Sequence, residues 1–185
     1  MKTLLGIVCL SSLVFPCYGQ TEKVALYADV NRSDCSITEP VNDIVEVYMF
    51  QVGMGEGRTA VEFRAPKPDC WTGAVWVGDS VPPVFLAIGS SQGNWLAIAY
   101  AKCISLPILL GTIRYFTTGE AQPCCNYPVL PSTAWPTPVT VDCTFENIVA
   151  IGGGAVTVNE NATCLCDPPL SVETSTWGRV KALYR

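Results

Sequence analysis

The sequence predicts an all-β protein, a disulfide-stapled β-sandwich of eight or nine strands. Three observations carry this. Short apolar or alternating runs recur along the chain, Gly, Pro and Asn separate them, and no amphipathic stretch of helix length lies between them. Turn signals about every 8 to 12 residues are the spacing of sandwich strands. A parallel α/β fold would instead need helices of about ten residues or more between its strands.

The elements follow in order. "KVALYADV" (23–30) alternates, with Val24, Leu26 and Ala28 on one side, and "DIVEVYMFQVG" (43–53) is rich in β-branched and aromatic residues. "TAVEFRA" (59–65), "GAVWVG" (73–78) and "PVFLAIG" (83–89) are short apolar runs. "NWLAIAYAKC" (94–103) puts Leu96, Ile98 and Tyr100 on one face and Ala97, Ala99 and Ala101 on the other, the pattern of a sheet packed on both sides. "PILLGTIRYFT" (107–117), "TPVTVDCTF" (137–145), "NIVAIG" (147–152) and "GAVTVNE" (154–160) complete the set. Between them "GEAQPCCNYPVLPSTAWPTP" (119–138), with five prolines, reads as a long loop pinned by disulfides.

The two ends read differently. Lys2, the apolar stretch Leu4 to Phe15 and small residues before Gln20 have the order of a secretory signal peptide, cleaved after Gly19. A lipid anchor at Cys17 competes less well, because Val14, Phe15 and Pro16 are bulky where a lipobox is small. No other apolar run reaches the ~20 residues that span a bilayer. The expected organisation is therefore a leader (1–19), a sandwich domain (20–170) and a tail (171–185). In the tail, Trp177, Val180 and Tyr184 share one face of a short helix, and Arg179, Lys181 and Arg185 add cations. Trp177, Arg179, Lys181 and Tyr184 are candidates for recognition by a sorting or anchoring machinery, against the plainer reading of a packed C-terminal turn.

Of ten cysteines, Cys9 and Cys17 leave with the leader. Cys35, Cys70, Cys103, Cys124, Cys125, Cys143, Cys164 and Cys166 remain, an even number in an exported chain and so a framework of up to four bridges. Spacing alone leaves roughly a hundred pairings open. The adjacent Cys124 and Cys125 are expected to take separate partners, because a vicinal bridge strains its peptide. A cysteine-only zinc site is the rival, and it lacks the paired C-x-x-C spacing of zinc ribbons. The net charge of −5, with no basic cluster, argues against nucleic acid and anionic membranes as partners.

The chain holds one apparent catalytic motif. Gly89-Ser90-Ser91-Gln92-Gly93 fits G-x-S-x-G, with an apolar run before it as in a nucleophile elbow. There is no histidine to act as base, which removes the usual triad and any imidazole-bearing metal site. Lys102 or Lys67 would have to substitute, and an elbow needs a following helix where this sequence alternates like a strand. The expectation is a hairpin loop with glycines at positive φ, and Ser91 as a decoy.

Glu46 and Glu62, each within an apolar run, are expected to face solvent rather than to form a glycosidase pair. "DVNRSD" (29–34) starts like a calcium loop but has Asp34 where glycine is needed and Pro40 where the last acid belongs, so it reads as a turn. Asn31 and Asn161 open glycosylation sequons. Among the tryptophans, Trp76 and Trp95 are expected in the core and Trp135 exposed, the position of an aromatic platform for a sugar.

The segments "APKPDCWTG", "IAYAKC", "PCCNYPVLP", "VDC", "NENATCLC" and "STWGRVKALYR" together resemble an uncharacterised family of exported, cysteine-rich bacterial proteins. The run from "VYMFQVG" through "AVEFRA" to "WLAIAYAKCISLPILLGTIRYF" is similar to the sandwich of cohesin and carbohydrate-binding modules. That resemblance implies an immunoglobulin-like sandwich and a binding role. The reading that emerges is a secreted or cell-surface, non-catalytic structural or binding module without cofactor, whose partner is a protein or a glycan. A glycan-binding module and a His-free serine hydrolase at Ser91 are the alternatives.

Overall fold

The structure, a computed structural model, describes residues 22–54 and 57–166. The expected leader (1–19) and tail (171–185), with Trp177, Arg179, Lys181 and Tyr184, lie outside the described residues. The strands are Lys23–Tyr27 (β1), Ser36–Ile37 (β2), Asp43–Val52 (β3), Arg58–Phe63 (β4), Ala74–Ser80 (β5), Leu86–Gly89 (β6), Leu96–Ile104 (β7) and Ile108–Thr117 (β8). Cys125–Pro128 (β9), Val139–Asp142 (β10), Ile148–Ala150 (β11), Gly152–Gly153 (β12) and Ala155–Val158 (β13) follow, and no helix interrupts them among the described residues.

Two five-stranded sheets make the sandwich, in the orders β12-β1-β3-β8-β5 and β11-β10-β4-β7-β6, and a three-stranded sheet, β2-β13-β9, closes one side. All ten apolar runs read from the sequence contribute strands. The excess over eight or nine comes chiefly from β2, β9 and β12, pieces of two to four residues that carry too few side chains to show a period. The expected loop 119–138 is corrected in one respect: its centre is β9, antiparallel to β13, which carries Tyr127 into the core.

Alternation sets the core. Val45, Val47 and Met49 of β3 and Ile113 and Tyr115 of β8 face Val61 and Phe63 of β4 and Leu96, Ile98 and Tyr100 of β7. Val24 and Leu26 join them as expected, with Ala28 at the margin. Trp71, from the connection between β4 and β5, is wholly buried against Tyr115 and Tyr127, with ring centroids 4.7 and 5.8 Å away. Its indole N–H donates to Glu39 (2.8 Å), whose other oxygen accepts the Ala121 N–H (2.7 Å), so one buried carboxylate ties the proline-rich segment to the core. Trp76 and Trp95, expected inside, are instead 39% and 38% exposed. Both belong to the side of the sandwich where the edge strands β5 and β6 lie, and no further strand covers them.

Gly111 shows why a glycine interrupts β8. Its φ is +145° and a Cβ would stand 2.2 Å from the Ser80 carbonyl oxygen of β5, so any side chain would push the edge strand away.

The cysteines form four bridges: Cys35–Cys166, Cys70–Cys125, Cys103–Cys143 and Cys124–Cys164. Cys124 and Cys125 take separate partners, as expected, and with every one of these thiols paired the zinc alternative has no ligands. Each bridge is of the kind that stabilises by ~2–4 kcal/mol, mainly by restricting the unfolded chain. Under stepwise reduction with alkylation and peptide mapping, Cys103–Cys143, whose Cys103 is exposed, opens among the first. Cys70–Cys125, with Cys125 buried in the core, opens last. Early labelling of Cys125 would contradict this packing.

Candidate functional site

Ser91 lies in the turn of the β6–β7 hairpin, with strand and not helix on both sides. Gly89 supplies a positive φ of 86°, while Gly93 does not adopt one. The serine is wholly buried. Its hydroxyl donates to Asp79 Oδ1 and its N–H to Asp79 Oδ2, each at 2.7 Å, which locks the hairpin of one sheet to β5 of the other. Gln92 Nε2 shares its two protons among the Ser91 hydroxyl (2.9 Å), the Ala65 carbonyl (2.9 Å) and the Tyr115 hydroxyl (2.8 Å). Tyr115 and Tyr127 hydroxyls are 2.8 Å apart, and Tyr127 donates onward to the Ala65 carbonyl. Burial pushes both phenols up, so they remain neutral donors.

Neither candidate lysine serves Ser91 as a base. Lys67 Nζ donates to the Trp71 carbonyl (2.7 Å), and Lys102 is exposed on β7, beyond Ala99 and away from the hairpin turn. Asp79, Ser91 and Gln92 are structural residues that join two sheets.

The other candidates separate as well. Glu46 is on β3 and Glu62 on β4, in different sheets, so they form no pair. Glu46 is exposed and accepts the Tyr48 hydroxyl (3.0 Å). "DVNRSD" is a turn closed by Asp29, which accepts the backbone N–H groups of Ser33 (2.8 Å) and Asp34 (3.2 Å). Burial acts to raise the Asp29 pKa, but hydrogen bonds from Ser33 and from the Asp34, Ser33 and Arg32 backbone prevail and lower it. Among the described residues no group of three or more His, Cys, Asp or Glu side chains converges as a metal site. Asn31 and Asn161 are both exposed.

The feature that remains is the outer face of the sheet β11-β10-β4-β7-β6. Residues directly opposite across strands share a face, and β4 and β7 turn Val61, Phe63, Leu96 and Ile98 inward. Their alternates therefore point out. Register aligns Ile148, Val141, Ala60, Ala99 and Leu86 in one row across the five strands. A second row holds Ala150, Val139, Glu62, Ala97 and Ile88. Nine of these ten side chains are apolar.

Leu86, Ile88 and Ile148 are 64%, 54% and 55% exposed, so the face is open. The expectation that "WLAIAYA" is covered on both sides is thereby corrected: its alanine side belongs to this open face. Trp135 comes from the proline-rich segment and stands over it, 37% exposed as expected, lining a shallow depression with Ala60, Glu62, Ala97, Val139, Val141 and Ile148. A turn around Asp142 sets β11 in place. Asp142 accepts the Thr144 hydroxyl (2.7 Å) and the Asn147 side-chain amide, and these bonds, Asn147 first, hold its pKa down at about 2.

The fold is that of cohesin modules. The sixth cohesin of Acetivibrio cellulolyticus scaffoldin B, solved in complex with a Cel5 dockerin, superposes with a TM-score of 0.51 at 17% identity, covering 76% of this chain and 99% of that one. The cohesin module of a Clostridium perfringens family 33 glycoside hydrolase gives the same TM-score at 8% identity, over 77% of this chain and 99% of that one. A non-cellulosomal cohesin from the archaeon Archaeoglobus fulgidus gives 0.45 at 12% identity, over 75% and 91%. The sequence matches no protein-family model and no curated protein.

The structural role of Ser91 is testable. Ser91→Ala removes one of the donors to the partly buried Asp79 carboxylate and is expected to lower stability by about 1–3 kcal/mol in denaturant titration. The wild-type protein should take up no serine-directed fluorophosphonate, and labelling that disappears in Ser91→Ala would reverse the assignment.

Proposed function

We propose that this protein is an exported, non-catalytic protein-binding module that docks its partner on the outer face of the β11-β10-β4-β7-β6 sheet. The observation that carries this reading is the pair of apolar rows. A soluble domain rarely leaves so continuous an apolar surface open unless something covers it. The β4 and β7 alanines leave a flat centre on which another backbone can approach closely, and Leu86, Ile88 and Ile148 give it large rims.

The similar scaffoldin module was solved with a dockerin bound, which supports a protein as the class of partner here. Four disulfides suit an oxidising compartment, and among the described residues no helix is long and apolar enough to cross a membrane. Export through residues 1–19 and a C-terminal address at 171–185 belong to the same proposal.

A glycan is the second reading, favoured by Trp135 beside the Glu62 carboxylate in a depression. Affinity electrophoresis in polysaccharide gels decides it: retardation lost in Trp135→Ala supports a sugar site, and unchanged mobility removes it.

Two measurements test the main reading. The intact, non-reduced mass of the exported protein is expected to match residues 20–185 less two hydrogens for each of the four bridges. A shorter C-terminus would mean that the tail is a processed address. Immobilised mature protein is then used to capture partners from the native secretions, and calorimetry follows with the partner identified. Leu86→Asp with Ile88→Asp is expected to weaken that complex at least about thirtyfold, the effect of losing a binding hot spot. An unchanged affinity would place the docking surface elsewhere.

A further inference from the structure

On the docking face Glu62 stands apart. β4 is the central strand of its sheet, so Glu62 occupies the middle of the face and is the only ionisable side chain in the two rows. Its carboxylate makes no hydrogen bond or ion pair with any described residue. The nearest cation along the chain, Arg64 just beyond β4, donates through Nε to the Pro131 carbonyl (2.9 Å). A partner that covers this face strips water from a carboxylate that no described residue compensates, a cost recovered only if the partner brings a positive charge or equivalent donors.

The surroundings of Glu62 narrow the choice. It borders the depression whose walls are Ala97, Val139 and Ile148, with the half-exposed Trp135 indole at its side. Aliphatic walls accommodate a methylene stem, a carboxylate receives a cationic head, and an indole face attracts it as well. Lysine and arginine are the side chains with both parts. An aliphatic anchor would leave Glu62 buried and unpaired, and an acidic one would be repelled.

We propose that this depression is a binding pocket for a single lysine or arginine side chain, the central anchor of the docked partner. The inference rests on the docking-face reading and adds the chemistry of its centre. Leu86, Ile88 and Ile148 then supply the apolar area around that anchor, and Glu62 decides which partners are admitted, since a partner without the cation pays for desolvating a carboxylate.

The probes are N-acetyl-lysine methylamide, N-acetyl-arginine methylamide and N-acetyl-norleucine methylamide, titrated into the oxidised mature chain and followed by amide NMR at Ala60 and Ala97 and at the Trp135 indole. The lysine and arginine probes are expected to shift these signals and to bind at least about tenfold more tightly than norleucine, with salt weakening them. Glu62→Gln should bring all three probes to the same weak affinity, and Trp135→Ala should weaken the cationic pair. Equal binding of norleucine and lysine overturns the cation pocket while leaving the docking face intact. Shifts confined to other surfaces, or no shift with any probe, overturn the pocket itself. The docking reading fails separately, if Leu86→Asp with Ile88→Asp leaves partner affinity unchanged.

Discussion

The two sheets of this sandwich depend on one closure, the hydrogen-bonded cluster around Gln92. Its amide reaches the Ala65 carbonyl, the Ser91 hydroxyl and the Tyr115 hydroxyl, and its carbonyl accepts the Lys67 N–H at 2.8 Å. Asp79 and Tyr115 belong to one sheet, Ser91 and Gln92 to a hairpin of the other, and Tyr127 to the third. Polar groups at the end of a core are costly when unpaired and specifying when fully paired. Here every side chain of the cluster has a partner, so the sheets meet in one register.

The opposite end of the core is closed in the same manner. Gln51 is wholly buried, accepts the Tyr100 hydroxyl and donates to Thr140 Oγ1 (2.9 Å) and to Glu22, which also pairs with Arg58. Burial pushes the Tyr100 pKa well up, keeping its proton in place as a donor. Register places Gln51 beside Ile108 and Tyr115 beside Val45, so the two clusters cap the two ends of β3 and β8 with aliphatic packing between. A core satisfied from within makes no demand on the outer face of the β4 sheet. The apolar residues there are not needed to hold the sheets together, and that is why they are informative about binding.

The strands were legible because alternation is a local property, and so was the number of bridges, because cysteine parity is compositional. Which of two apolar faces is covered is a property of the whole fold. Leu96, Ile98 and Tyr100 look no more internal than Ala97 and Ala99 until the other sheet is in place, so in the sequence the open face reads as a second packing surface. Trp76 and Trp95 misled for a related reason: a large aromatic residue in or beside an apolar strand reads as core, while sheet order puts these two on the side of the edge strands β5 and β6. Glu39 and Gln51 were invisible because their partners lie far off in sequence, Trp71 and Ala121 for one, Tyr100 and Thr140 for the other. Trp135 was legible as a surface residue, since Pro131, Pro136 and Pro138 flank it closely and leave no regular element there.

An open apolar face brings a hazard, because a sandwich with free edges can also pair strand to strand with its own copies. The edges are managed by shape. β12 is two glycines, β11 has three residues and β6 four, and β5, the longest, is broken by a register shift between Trp76 and Gly78. Bulges and short edges deny a second chain a straight ladder of hydrogen bonds. Two of the bridges act elsewhere: Cys166 is fixed to Cys35 beside β2, and Cys164 to Cys124 beside β9, both at the third sheet. The last described residues are therefore held at the third sheet by two covalent ties, one to each of its edge strands.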